Sequence, residues 1–343
     1  MDLASSIRKK ALELGFSKCG IIGVDAVKEY AERMNERIAS FPDSALMYMR
    51  FRPLANVQRN FPWAKSVVVL VYDYGRYRIP EKLRGHIGAA YLFDGRRDRG
   101  SDANRITDEL AKYIESLGIQ VGREDDHGVT ALRFAAVKAG LGVIRKNNFF
   151  YTEDGSWNII NAFAIDEELE FIDDTELKDC PDGCNLCVNA CPTGSLVKPF
   201  SMHPMRCVSF LTSIGGGMAD IANNPLRESF NDWVYGCDEC QNVCPFNRDR
   251  FTEGTDYPGL EAIADDLTLE RVLEMDESFY INTVQPKFWY LDHDKMYVWK
   301  VNALNAMKNN YRDSYGPLIK KCLDDPNERV RNMAKMVCDD LHL

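Results

Sequence analysis

The chain lacks an apolar run long enough to cross a bilayer: its longest, residues 67–72, falls far short of the roughly 20 residues a spanning helix needs. The start, Met1-Asp2-Leu3-Ala4-Ser5-Ser6-Ile7-Arg8-Lys9-Lys10, has neither an apolar signal core nor a twin-arginine pair. A cytoplasmic address with no membrane partner is therefore expected. An excess of positive charge is also missing. With a net charge of −10, the surface as a whole does not attract nucleic acid, so an RNA partner would need a local basic patch. The apolar share of 45% is ordinary for a chain that buries real cores, which excludes long disorder. At 343 residues the length suits two or three domains.

Cysteine is abundant instead. Eleven are present, and in a cytosolic chain clustered cysteines read as metal sites rather than disulfides. Cys19, Cys322 and Cys338 stand alone and read as small buried apolar residues. The other eight fall between Cys180 and Cys244 in two runs, Cys180-x3-Cys184-x2-Cys187-x3-Cys191-Pro192 and Cys237-x2-Cys240-x3-Cys244-Pro245, with Cys207 between them. Closely spaced thiolates on a tight loop hold three corners of an iron–sulfur cubane, and in two-cluster ferredoxins the cysteine before proline ligates the other cluster. On that pattern Cys180, Cys184, Cys187 and Cys244 hold one [4Fe–4S] cluster, and Cys207, Cys237, Cys240 and Cys191 hold a second. No cysteine is left over. Zinc sites with four cysteines are the rival reading, but zinc ribbons pair one CxxC with another and do not favour two Cys-Pro endings. The x3 spacing after Cys180, where x2 is usual, sets that ligand apart from the other seven.

Periodicity divides the rest. A helix is expected over 2–14, stopped by Gly15, then a short strand over 19–22. Residues 66–72, β-branched and continuously apolar, predict a buried central strand. Helices at 106–117 and 129–138 alternate with strands near 119–121, 149–151 and 157–165, which argues for an α/β domain. An acidic stretch, 166–176, reads as a linker, and a second, 251–280, as acidic loop. Helices over 297–308, 317–323 and 328–341 resemble stacked helical repeats of the HEAT type. The division expected is 1–170, 171–250 and 251–343. The last 47 residues carry eight Lys/Arg against six Asp/Glu, and Lys300, Lys308, Arg312, Lys320, Lys321, Arg329 and Arg331 are its candidates for phosphate contacts.

The chain resembles the epoxyqueuosine reductase family over nearly its whole length. Leu14-Gly15-Phe16 with Gly20-Ile21, Ala139-Gly140-Leu141-Gly142 with Lys146-Asn147, the 207–212 stretch Cys-Val-Ser-Phe-Leu-Thr and the 236–241 stretch Gly-Cys-Asp-Glu-Cys-Gln carry the likeness. The resemblance implies an α+β multi-domain protein: a nitroreductase-like cobalamin-binding domain, a ferredoxin-like two-cluster module and C-terminal HEAT-like helices that bind tRNA. It implies two [4Fe–4S] clusters and cobalamin as cofactors, a ferredoxin- or flavodoxin-type electron donor, and a monomer. Gly140, Leu141, Gly142, Arg145, Lys146 and Asn147 would face the corrinoid. Counting back from Ala139 by the family's spacing lands on Asp126 as the general acid, beside His127. Read from the residues alone, Asp126 also suits a helix N-cap, and one glycine suffices to end a helix.

The chain departs from the family on the substrate side. Arg97-Asp98-Arg99-Gly100 stands where Arg-Asp-Tyr-His is expected, His127-Gly128-Val129 where Ser-Ala-Pro is, and Val143 and Arg145 replace a tryptophan and a glycine. Two alternatives stay open: a corrinoid reductase of a small molecule, related to reductive dehalogenases, and a ferredoxin-type electron carrier that is not an enzyme.

Overall fold

The computed structural model describes residues 2–94, 101–124, 127–218, 220–248, 250–251 and 254–343. The chain forms two compact units, Met1–Gly75 with Gly95–Asn185, and Arg76–Asp94 with Leu186–Leu343.

The first unit is built on a four-stranded sheet in the order Lys18–Gly23, Ser66–Asp73, Asn158–Ile165, Val121–Gly122. Ser66–Asp73 is central and buried along its whole length, as its unbroken apolar sequence predicts. Its register pairs Val67, Val69 and Val71 with Ala164, Ala162 and Ile160, so one face presents a continuous apolar surface. Phe134, Ala135 and Ala136 of the helix Leu132–Lys138 close that core. The helix Leu3–Leu14 is N-capped by Asp2, whose carboxylate accepts from Ser5 N, and ends at Gly15 with φ 109°. It packs against the strand Lys18–Gly23 and the helix Asp102–Ser116.

Helices and strands alternate as expected, yet every neighbour pair in this sheet is antiparallel. The α/β label for this domain is corrected to α+β. Alternation fixes the order of elements but not strand direction, and here the helices are excursions between antiparallel neighbours rather than crossovers between parallel ones. Two helices between the first two strands, Tyr30–Ser40 and Ala45–Phe51, form a satellite core around Met34, Phe41 and Tyr48. Of the lone cysteines, Cys19 and Cys322 are buried as read, and burial pushes their thiols up to about 12 and about 11. Cys338 is only half-buried.

The second unit places short cysteine-bearing turns beside a group of helices. Met296–Asn309 is its centre, with every residue from 298 to 307 buried. Leu269–Glu274 and Glu328–Leu341 pack against it. The acidic stretch read as loop contains helices, because Leu260, Leu269, Val272, Leu273 and Tyr280 supply enough buried apolar surface to order it. Lys300 is corrected as a phosphate contact: it is buried and paired with Asp325 at 3.1 Å. Lys308 is likewise engaged, with Glu228 at 2.6 Å and Asp340 at 2.8 Å. Arg329 donates to Tyr297 Oη and Arg331 to the carbonyls of Asp325 and Pro326. Arg312, Lys320 and Lys321 remain exposed.

Candidate metal centre

The division between the units falls after Asn185, so Cys180 and Cys184 belong to the first and the other six cysteines of the constellation to the second. The second unit therefore contains all four cysteines assigned to the second cluster. Cys207 stands at the N-cap of the short helix Val208–Leu211, and the backbone N–H groups of Phe210 and Ser209 lower its thiol's pKa against the effect of burial, while Ser195 Oγ nearby donates to the His203 carbonyl at 2.8 Å. Cys237 precedes, and Cys240 lies within, the one-turn helix Glu239–Asn242. The backbone N–H of Glu239 donates to the Cys237 sulfur, and that of Leu196 to the Cys191 sulfur at 3.4 Å.

Burial pushes the thiols of Cys207, Cys237 and Cys240 upward, well above the usual range for the last two. Each is raised further by neighbouring thiols: Cys191 acts on Cys207, Cys207 on Cys237, and Cys207, Cys191 and Cys187 on Cys240. Cys207 and Cys240 thus interact with the other assigned ligands, and Cys240 also with Cys187 of the first run. Several thiolates crowded in a half-buried site repel one another, and bound iron removes that repulsion. The N–H groups aimed at the sulfurs are the donors that tune such a cluster. These residues fit an iron–sulfur cluster. Among the described residues no three His, Cys, Asp or Glu side chains converge on a single-ion site, and a cubane, which spaces its thiolates around itself, does not require them to.

Neighbouring residues fix the turns. Asp238 is buried and accepts from Ala89 N at 2.7 Å; burial holds its carboxyl up at about 7. Asn247 Nδ2 donates to Gln241 O at 2.9 Å, closing the loop behind Cys244.

In the first unit, Lys146 Nζ donates to the Cys184 carbonyl at 2.7 Å, tying the 139–147 segment to the first cysteine run. The remaining residues expected to face a corrinoid are engaged within their own unit. Gly140 has φ 70°, and a Cβ there would lie 1.7 Å from Asp173 O; at Gly142 it would lie 2.1 Å from Tyr151 O. Arg145, buried, places its guanidinium over the Tyr151 ring, and Asn147 Nδ2 donates to Tyr151 Oη at 2.8 Å. Leu141 is in the sheet core. The segment alone builds no corrinoid cradle.

Asp126 lies outside the described residues, as does the 97–100 stretch. His127 is placed: its N–H donates to Glu124 Oε2 at 2.7 Å and its ring sits 5.5 Å from that of Phe51. Beside this turn is a cavity of about 30 Å³ of mixed lining, with Asn104, Thr107, Arg123, Glu124 and Asn161 beside apolar groups such as Leu132 and Phe163. It has room for ordered water rather than a cofactor, whose pockets run to roughly 300 Å³ and more. The sequence carried one sign of it: Asn104 and Thr107 occupy the buried face of their helix, where apolar residues are the rule.

Residues 180–247 match the family described as "4Fe-4S double cluster binding domain". The epoxyqueuosine reductase of Staphylococcus aureus is 30% identical over 74% of this chain and 67% of its own length. That of Vibrio cholerae is 26% identical over 99% of this chain and 90% of its own. Among solved structures, an epoxyqueuosine reductase with an epoxyqueuosine-modified tRNA-Tyr stem loop superposes with a TM-score of 0.77 at 22% identity, covering 99% of this chain and 91% of that one. Another, from Bacillus subtilis and described with its catalytic aspartate loop swung out of the active site, gives 0.75 at 21%, covering 97% and 88%. The 180–247 segment is an iron–sulfur cluster binding domain, and the chain as a whole belongs to the epoxyqueuosine reductase family.

Proposed function

We propose that this chain reduces epoxyqueuosine in tRNA, using two [4Fe–4S] clusters and cobalamin. The observation that carries the reading is the pairing of eight cysteines in two-cluster spacing with family-level identity over most of the chain. The relatives are named for this substrate, and one is seen with an epoxyqueuosine-modified stem loop. Cys180, Cys184, Cys187 and Cys244 are assigned to one cluster, and Cys207, Cys237, Cys240 and Cys191 to the other. The functional division follows 1–170, 171–250 and 251–343, with a nitroreductase-like first part, a ferredoxin-like second and HEAT-like helices in the third. Of the seven candidate cations of that third part, Arg312, Lys320 and Lys321 stay exposed for phosphate, Lys321 within 3.8 Å of Glu274.

The net reaction takes two electrons and two protons: the epoxide carbon–oxygen bonds break, an alkene forms and the oxygen leaves as water. Cobalamin, when bound, supplies a strongly reducing metal centre. The eight cysteines would hold clusters able to pass on single electrons from a low-potential ferredoxin- or flavodoxin-type donor. Asp126 is assigned the proton on the departing oxygen; it follows Glu124 and Asp125 directly, and neighbouring carboxylates favour a protonated partner. The Bacillus subtilis relative, described by its catalytic aspartate loop, supports placing the acid on a loop. Because residues 140–147 alone make no cradle, a corrinoid in this chain draws on further groups.

Anaerobic turnover of epoxyqueuosine-containing tRNA, with cobalamin and reduced donor, tests the reading. Queuosine should form, and Asp126→Asn should slow it by about a hundredfold or more while both clusters survive. Unchanged turnover in that variant would remove Asp126 from the mechanism. A second reading, reduction of a small molecule with the same cofactors, rests on the altered 97–104 and 127–129 segments and on Arg145 in a glycine's place. Turnover of such a molecule, with no tRNA retained in a gel shift, would favour it. Binding of neither corrinoid nor tRNA by protein with intact clusters would leave an electron carrier.

A further inference from the structure

Thr212 ends the helix that Cys207 begins, and it is completely buried. Its hydroxyl donates to Val208 O at 2.8 Å and accepts from Gly236 N at 2.9 Å. The residue immediately before Cys237 is therefore tied to the turn that follows Cys207. Asn302, at the middle of Met296–Asn309, is 1% exposed and makes the same connection from the helix side. Its amide Nδ2 has two protons; one goes to Thr212 O at 3.0 Å and the other to Val234 O at 2.8 Å. These carbonyls lie five residues after Cys207 and three before Cys237. One side chain thus spans the two segments that approach the second cluster.

The alternative is that Asn302 merely fills the core. Its Oδ1 speaks against that, since it has no hydrogen-bond partner among the described residues. A buried acceptor left unpartnered is destabilising, and an aliphatic side chain would fill the volume without it. What the amide supplies is the fork of two donors. The same helix grips the second segment again one turn earlier, where Trp299 stacks on Tyr235 at 4.8 Å and 14°. From elsewhere in the same unit, Gly88 N donates to Tyr235 O at 2.7 Å and Ala89 N to Asp238 Oδ2. Gly236, at φ 89°, has no space for a Cβ, which would lie 2.7 Å from the Tyr91 ring. Tyr91 also joins the two segments, with its hydroxyl 2.9 Å from Ser209 Oγ and its ring against Tyr235; Asn302 and Thr212 link them through hydrogen bonds to the backbone on both.

We propose that Asn302 and Thr212 are positioning residues of the second cluster, setting the separation between Cys207 and the Cys237–Cys240 loop. This rests on the two-cluster reading. Relaxing the separation moves the sulfurs and the N–H groups aimed at them, which alters the cluster's spectrum, potential and retention of iron.

The test uses full-length protein reconstituted anaerobically, as wild type and as Thr212→Val, Thr212→Ser, Asn302→Leu and Asn302→Asp. Iron and sulfide per chain, iron release to a ferrous chelator, and EPR of the reduced protein are measured. Thr212→Val and Asn302→Leu should release the iron of one cluster about tenfold faster and shift one of the two EPR signals, leaving the other unchanged. Thr212→Ser, which keeps the hydroxyl, should return both to wild type. Thr212→Val conserves volume and carries the test where Asn302→Leu does not fold. Wild-type release and spectra in both Thr212→Val and the folded Asn302 variants would overturn the inference, as would equal loosening of both clusters. A wild-type protein without two clusters would overturn the reading beneath it, and the inference with it.

Discussion

Lys300 shows how far a residue's type can mislead about its work. By charge and position it belongs to a basic helical end, yet its side chain is about one-tenth exposed and its ammonium meets Asp325. A buried pair contributes little over a well-packed apolar pair, but removing one partner strands the other. Lys300→Met should cost about 3 kcal/mol in urea unfolding. Lys300→Met with Asp325→Leu should recover much of that loss; an equal or larger loss would show that the pair itself is needed. A different balance holds at Asp340, whose carboxyl lies below the usual range because it accepts from Lys308. A depressed folded pKa stabilises above the unfolded pKa near 3.8, and the gain is lost as pH falls through the lower folded value. The wild-type advantage over Asp340→Asn should therefore shrink below pH ~4 in acid denaturation. At this scale the cysteines were legible, because ligand chemistry and spacing are both written along the chain. Asn302 and Thr212 were not. A polar residue in a helix, and a threonine after one, gain meaning only from carbonyls far away in sequence.

Elements were legible where a period was strong. The strand at 66–73 announced itself by an unbroken apolar run, and the helices Leu3–Leu14, Asp102–Ser116 and Glu328–Leu341 by spacing and caps. The helices within 260–287 were hidden by acidic residues on their outer faces, since net charge describes the wet side of an element and not its buried side. Strand direction had no signature at all. The Gly140–Gly142 turn belongs here too. Its glycines resemble a cofactor motif, while the space their Cβ atoms would need is filled by Asp173 and Tyr151. Gly140→Ala combines a positive φ with a collision against backbone. It should lower the thermal midpoint of protein free of corrinoid, with a loss exceeding roughly 1 kcal/mol. An unchanged midpoint without corrinoid, together with weaker corrinoid binding, would return the glycine to a ligand role.

For the whole molecule, charge is distributed unevenly enough to matter. A net of −10 opposes association with RNA, and much of the C-terminal positive charge is consumed by internal pairs. Binding of tRNA should therefore rest on few cations and weaken steeply with salt. Lys320→Glu with Lys321→Glu should lower affinity and reduce the slope of log K against log salt by about one for each lost contact, while Lys308→Gln should change that slope little. An unaltered slope in the double variant would move the RNA-binding face elsewhere. The sequence also gave no hint that 76–94 belongs with the cysteine turns, because a segment's company is a property of its contacts and not of its composition.

That segment bears on how the protein is made. Gly88 and Ala89 leave the ribosome well over 100 residues before Tyr235 and Asp238, the groups their amides bind. Throughout that interval the strip has no destination, while the chain on either side of it, up to Gly75 and from Gly95, already has the contents of a complete sheet. The loop around Cys237 therefore closes on a strip made long before it. A fragment beginning at Leu186 would carry six of the eight clustered cysteines but not the strip that clasps the loop around Cys237, so cutting the chain there does not isolate a transplantable electron-transfer module.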